Sequence, residues 1–520
     1  MTGMALPMAG PAQAGLLDGG LGSALGQTNQ AVAPKSSRPA TVVMTLAMRH
    51  RDRLDDLIVA QRSPGSPAYE QPLSAAAFDA NYAPSAADVA RVTDYLRENG
   101  FTRITTSSDR MLVTAEGTDG IIAKTLGSAV GGLVSGVSSA LAGVTGRQLP
   151  GPLQGLVSSI QQRDARDGFH VMARAANRRL GAEPASTAFS PLDFPRAYGV
   201  SRAPDGRGTS VGIITAGELS EVFDDYETAQ EDFPLPRIPM EVVRRGDEVD
   251  DEIGVAQWDI DSQVIQAAAG GYLANMIFYN APTLSSADIT TAVSDAVNDG
   301  RAKILNISLG QCESAARASG TIDGLEPILA AGAARGMVFS VAAGQTDRLD
   351  CPGQQSYPAS SPYVVAVGAT SLTVNSAGGY WRERVWSPTR GGPSTEIARP
   401  GYQADVVPDD GRGVPDLVLN GDPATGAVII FDDDPAQYGG TGLSAALFTG
   451  FYARLESATN NTHGQPALYD AVPERPSLAR DITAGGNARY DAVPGWDYAS
   501  GFGSPVIDAL VDYAKAHPDF

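Results

Sequence analysis

Gly439-Gly440-Thr441-Gly442-Leu443-Ser444-Ala445-Ala446 opens a run in which Leu447, Phe448, Phe451 and Leu455 recur at helical spacing. Glycines and a threonine just ahead of a buried helix make a tight turn at its N-terminus. Upstream of this turn, strand-like runs at Val211–Thr215, Met276–Tyr279, Lys303–Leu309, Val338–Ala342 and Val364–Val367 alternate with helical patterns. One helix is marked by Ile289, Val293 and Val297, and another, carrying Leu325 and Leu329, stops at Gly336. Such alternation from about Phe189 onward predicts an α/β domain built on a mostly parallel sheet.

Ahead of it lies a different pattern. Val42-Val43-Met44-Thr45-Leu46 reads as a strand, Leu54, Leu57 and Ile58 as a helix face, and Ser85 as the cap of a second helix carrying Val89, Val92 and Leu96. Strands at Phe101–Thr105 and Met111–Ala115 complete a small α+β domain. Residues 1–40 are rich in Gly, Ala and Pro without periodicity and are expected to form a disordered leader. Ala12-Gln13-Ala14 has the form of a signal-peptidase site, but no Lys or Arg precedes Lys35, so the charged n-region is absent. The uncharged stretch between Lys124 and Arg147 is long enough to cross a bilayer. Its Gly/Ser-rich segment, 127–146, lowers the transfer free energy far below that of a Leu-rich span, so it is read as a connector and not as a membrane contact.

A chain of 520 residues with 43% hydrophobic content supports a large core and more than one domain. Its net charge of −21 argues against nucleic acid or an anionic membrane as partner. Two cysteines, Cys312 and Cys351, and four scattered histidines offer no structural zinc site and no H-E-x-x-H spacing. Neither is a Ser-His-Asp triad supported, because no histidine opens a helix in the central chain. Asn306-Ile307-Ser308 fits a glycosylation pattern but falls on a predicted inner strand.

Three segments carry the chemistry. The Gly-Gly-Thr turn before Gly442, the run Gln257-Trp258-Asp259-Ile260-Asp261-Ser262-Gln263 and the strand end Ala343-Gly344-Gln345 resemble the catalytic segments of sedolisins, the serine-carboxyl peptidases. Further landmarks follow in the family's order: Ser308-Leu309-Gly310, Tyr357-Pro358-Ala359-Ser360-Ser361-Pro362, Gly411-Arg412-Gly413-Val414-Pro415-Asp416 and Gly501-Phe502-Gly503. The resemblance implies a subtilisin-like α/β peptidase domain over 189–520, a small ferredoxin-like α+β activation prodomain over 41–162 and a linker over 163–188. It places Gln257 at the position of the general base, Asp261 at its supporting Asp, Gln345 at the oxyanion-hole Asp and Gly442 at the nucleophilic Ser. An amide accepts no proton at useful pH, and glycine has no oxygen to attack a carbonyl. Loss of one member of such a unit costs on the order of 10⁴ to 10⁶ in turnover.

The resemblance therefore implies a catalytically silent homologue whose cleft still holds peptide, a protein ligand or its own prodomain. Two alternatives stand beside it. One is an active acid endopeptidase using Asp261 with non-standard partners, and the other a structural or assembly protein. Ser444, about 200° round the helix from Gly442, is expected to point away from Asp261, which weakens rescue by Ser444 with Asp347. The silent reading falls if some other hydroxyl lies within bonding distance of a carboxylate in that groove. The C-terminal segments holding Asp481, Ile482, Val493, Gly495 and Asp497 resemble the family's calcium loop, which implies Ca2+ as a cofactor. Cys312 and Cys351 sit where some members carry a disulfide, implying an oxidising, extracellular or extracytoplasmic setting. Departures from the family include the Gly/Ser-rich segment and Ala446, where a proline commonly follows the serine turn.

Overall fold

The computed structural model describes residues 38–61, 65–69, 71–130, 149–163, 168–176, 188–245, 252–461 and 464–517. The leader, apart from its last three residues, and most of the Gly/Ser-rich segment lie outside them. In the first domain β1 (Pro39–Leu46), β2 (Thr102–Thr106), β3 (Leu112–Thr118) and β4 (Val157–Gln162) form an antiparallel sheet in the order β2-β3-β1-β4. Helices Arg51–Ala60 and Ala86–Glu98 lie between β1 and β2, and helix Asp119–Thr125 follows β3. This is the ferredoxin-like β-α-β-β-α-β plan. Ser85 caps its helix by accepting the N–H of Asp88, as its sequence position predicts. Val42, Met44, Leu46, Val92 and Leu96 fill a core of their own.

Two short linker strands follow, β5 (His170–Val171) and β6 (Arg174–Ala175). The second domain then contributes β7 (Gly206–Ala216), β8 (Met240–Arg244), β9 (Leu273–Ala281), β10 (Ile304–Ile307), β11 (Leu309–Cys312), β12 (Val338–Ala342), β13 (Ser356–Tyr357), β14 (Val365–Val374), β15 (Tyr380–Val385), β16 (Gly392–Ala398), β17 (Gly411–Val414), β18 (Leu417–Asn420), β19 (Ala427–Phe431) and β20 (Asp434–Gly439). Its main sheet runs β15-β14-β12-β10-β7-β9-β8, with β18 also paired to β14, and every pair but β14–β15 is parallel. The predicted strand Lys303–Leu309 divides at Ser308 into β10 and β11, which turn to different partners.

Helix Thr441–Thr459 runs through the centre, buried on all sides over its first fifteen residues. It packs on helix Val255–Ala268 at Gly450, where a Cβ would meet Ile265 O at 2.5 Å and the Ala268 Cβ at 2.6 Å. Only glycine permits that approach. On the other side, helices Ser286–Asp299 and Thr321–Ala334 receive β1 and β4 of the first domain. Ser159 Oγ donates to Gly320 O (2.7 Å), Thr45 Oγ1 donates to Gly324 O (3.3 Å), and Arg163 pairs with Asp288. Leu54 and Ile58 of the first domain are part of the large core of the second. Among the described residues, no helix is long and apolar enough to cross a membrane.

Candidate functional site

Helix Val255–Ala268 carries Gln257 and Asp261 one turn apart, so both side chains leave the same face. That face meets the N-terminus of helix Thr441–Thr459 at Gly442. A Cβ built on Gly442 would collide with the Gln257 carboxamide, lying 2.6 Å from Nε2 and 2.7 Å from Cδ. The glutamine side chain thus fills the volume that any side chain at 442 requires. Its Nε2 donates to Asp261 Oδ1 at 3.0 Å, while its Oε1 has no partner among the described residues.

Asp261 has no exposed surface. Burial pushes its pKa up to about 8, against the hydrogen bonds from Ser308, Gln257 and Asn306 that pull it down. Below that pH the carboxyl is neutral and takes no proton from a nucleophile. Its near neighbour Asp259 is pushed to about 10, by burial first and then by the adjacent Asp225, whose carboxylate accepts the N–H groups of Asp432 and Asp433 (3.0 and 2.8 Å).

Gln345, at the end of β12, also faces the helix N-terminus. Its Oε1 accepts from Thr441 N at 2.8 Å and from Thr441 Oγ1 at 3.4 Å, and its Nε2 has no partner among the described residues. Gln257, Asp261, Gln345 and Gly442 are therefore gathered at one end of the parallel sheet from three distant stretches of sequence. Ser444 points elsewhere: its hydroxyl donates to Leu419 O (3.1 Å) and Asn420 O (3.2 Å). Asp347 is engaged with Arg174 at 2.6 Å.

A hydroxyl does meet the carboxyl, against the expectation of a groove without one. Ser308 Oγ lies 2.8 Å from Asp261 Oδ1, accepts from Asn306 Nδ2 at 2.9 Å and approaches Gly442 O at 3.5 Å. Sequence reading had placed Ser308 as a landmark only. The signal was present in the alternation of a strand, which puts Asn306 and Ser308 on one face. All the polar contacts of this hydroxyl lie on the side of Asp261, Asn306 and the Gly442 carbonyl.

The linker is the second feature that sequence reading did not resolve. Residues 168–176 cross directly over Gly442, with β5 antiparallel to β11 and β6 antiparallel to β20. Phe169 N donates to Leu284 O (2.8 Å), Met172 N to Ser308 O (3.1 Å) and Ala176 N to Gln437 O (2.9 Å). Gly442 N lies 3.5 Å from Met172 O, at the place where a helix N-terminus is most attractive to a carbonyl oxygen. Gly440, at φ +102°, passes so close beneath Met172 O that a Cβ there would strike it.

Cys312 and Cys351 are joined, with Cα atoms 5.5 Å apart, and pack against Met172. In the C-terminal loop Asp481 Oδ2 accepts from Gly495 N (2.9 Å), and Asp497 Oδ2 accepts from Val493 N (2.9 Å). Ser500 Oγ donates to Ile482 O (3.2 Å) and bonds the Asp497 carboxylate (3.1 Å), so the five residues sit round one loop. Burial raises the pKa of Asp497, and only N–H and O–H donors oppose it; no cationic side chain does. Among the described residues no three acidic, histidine or cysteine side chains gather as a metal cage, so a cation here must lean on main-chain carbonyls.

Residues 27–165 match the family model of the pro-kumamolisin activation domain, and residues 261–503 match that of the subtilase family. Sedolisin of Pseudomonas sp. (strain 101) is 33% identical over 513 residues, which cover 92% of this chain and 87% of that protein. Xanthomonalisin of Xanthomonas sp. (strain T-22) is 30% identical over 93% of this chain and 66% of its own length, and kumamolisin of Bacillus sp. (strain MN-32) is 34% identical over 66% and 67%. Among solved structures, Pseudomonas sedolisin complexed with two molecules of pseudo-iodotyrostatin superposes with a TM-score of 0.61 at 34% identity, covering 65% of this chain and 100% of that one. Given that identity over nearly the whole length, with an activation domain packed against a subtilisin-like domain, the chain belongs to the sedolisin family of serine-carboxyl peptidases, in its pro-form.

Proposed function

We propose that this chain is a catalytically silent sedolisin homologue, a peptide-binding cleft that retains its own linker without cutting it. The observation that carries the reading is the Gln257 carboxamide lying in the space that a serine at 442 would need. Around it, Gln257 offers no base, Asp261 is neutral throughout the acid range, and Gln345 spends its carbonyl oxygen on Thr441. The bound linker supports occupancy: its main chain extends two edge strands, the usual mode of β-augmentation. Intact mass after incubation at mildly acidic pH tests the reading. The chain is expected to remain at 53.9 kDa, and prompt self-shortening would refute silence.

The 2.8 Å contact between Ser308 and Asp261 favours a second reading, turnover with Ser308 Oγ as nucleophile. That reading requires cleavage of unfolded protein substrate that Ser308→Ala and Asp261→Ala each abolish. Silence requires no such cleavage in any of the three chains. We further propose Ca2+ at the C-terminal loop, held by Asp481, Asp497 and the carbonyls of Ile482, Val493 and Gly495, where it would neutralise the buried Asp497 carboxylate. The cystine fits a chain that works outside the cytoplasm.

A further inference from the structure

We infer that the cleft selects its ligand by side chain: it takes extended peptides with an unbranched apolar residue, methionine above all, over Gly442 and a basic residue two positions further on. The inference rests on the reading of the cleft as a peptide-binding site and specifies its ligand.

The main-chain bonds made by residues 168–176 are open to any sequence. Side chains provide the discrimination. His170 is exposed and Val171 half-buried, but Met172 is wholly enclosed. Its side chain enters a pocket formed by Ala342, Leu349, Ala445 and Cys351, with Cys312 at the rim. The methionine Cε ends 3.1 Å from where a Cβ on Gly310 would lie, so the absence of a side chain at Gly310 leaves room for the tip. A straight thioether reaches such a floor, and its polarisable sulfur suits walls of small residues and a cystine. A β-branched side chain is too short and too wide at its base. Two residues on, Arg174 pairs with Asp347 at 2.6 Å and lies 5.8 Å above the Trp386 ring. Both partners of that pair are about one-third exposed, which makes it the lesser determinant. The surrounding body, with its net charge of −21, favours a basic ligand on approach.

The linker carries this sequence at high effective concentration, so a free peptide competes with a tethered copy. The test uses the full chain with Met172→Asp and Arg174→Glu, which removes the two selective side chains of the tethered copy and leaves Phe169 and Ala173 in the core. A fluorescent peptide with the sequence of residues 168–176 is titrated by anisotropy. It is expected to bind this variant and to bind the unaltered chain at least about ten-fold more weakly. In the peptide, norleucine for methionine is expected to preserve affinity, aspartate for methionine to lower it about ten- to hundred-fold, and glutamate for arginine to lower it several-fold. Equal binding of all four peptides would overturn the selectivity and leave the cleft a peptide site. No binding of any peptide, by a variant that melts like the unaltered chain, would overturn the peptide-site reading itself.

Should the double variant not fold, amide exchange in chains carrying Met172→Leu or Met172→Ala decides the matter. Slow exchange at the main-chain N–H of positions 169, 172 and 176, which donate to Leu284, Ser308 and Gln437, is expected to survive in the first and be lost in the second. Equal protection in both would overturn the proposal.

Discussion

At the scale of single residues, the changes at 257 and 442 are not independent. With glycine at 442 the Gln257 carboxamide can settle against Asp261, and a serine at 442 would have to evict it. Gly442→Ser alone is expected to restore no proteolysis and to cost about 1–3 kcal/mol of stability. The same substitution in a Gln257→Ala background is expected to cost distinctly less, and a double-mutant cycle by urea unfolding measures the difference. The buried carboxyls of Asp259 and Asp261 set a pH dependence of definite sign. Their pKa values rise on folding from the ordinary 3.8 to about 10 and about 8, so folding favours the protonated forms. The stability they confer is complete below about pH 4 and is lost as pH rises through the folded values. Thermal midpoints recorded between pH 4 and 9 are expected to fall with rising pH. Asp259→Asn, which stays neutral at every pH, is expected to flatten that fall.

At the scale of elements, two features depend on close approach. The Gly450 crossing brings the two helices that hold the site into direct contact, so Gly450→Leu is expected to cost about 1–3 kcal/mol by chemical denaturation, with loss of peptide binding. The C-terminal loop closes on Asp481 and Asp497. If calcium completes it, added Ca2+ raises the thermal midpoint and a chelator lowers it. Asp481→Ala is expected to remove that response, and a midpoint indifferent to Ca2+ in the unaltered chain would discard the cofactor. The same scale shows why parts of the sheet escaped sequence reading. Strand β18 has only four residues, and hairpin β19–β20 turns at Asp432 and Asp433, which have positive φ and are held by Asp225 from a distant helix. Strands β5 and β6 have two residues each and owe their form to the edges they join.

At the scale of the molecule, the first domain is anchored from both ends. Its sheet rests on two helices of the second domain, and the linker that leaves it is buried across the cleft. Restoring catalysis should therefore act first on the chain itself. A variant carrying Gln257→Glu, Gln345→Asp and Gly442→Ser is expected to cleave its own linker at mildly acidic pH, between Met172 and Ala173, because the Met172 carbonyl is the one facing Gly442 N. Mass spectrometry of the products reads the bond directly. Cleavage elsewhere would show that the resting linker does not lie in a reactive register.

The long strands and helices were legible because burial imposes a period on a continuous stretch, and the small set of family motifs gave the fold and its two domains. The loss of an attacking oxygen at Gly442 was also fixed by sequence, since no packing restores an atom the residue lacks. What entered the vacated space was decided only by tertiary structure. The Gln257 carboxamide beneath Gly442, the Ser308 hydroxyl on Asp261 and the Met172 side chain against the cystine each join segments from 47 to 185 residues apart, so the reason is physical: such neighbours meet through the path of the whole backbone, of which no local pattern carries a trace.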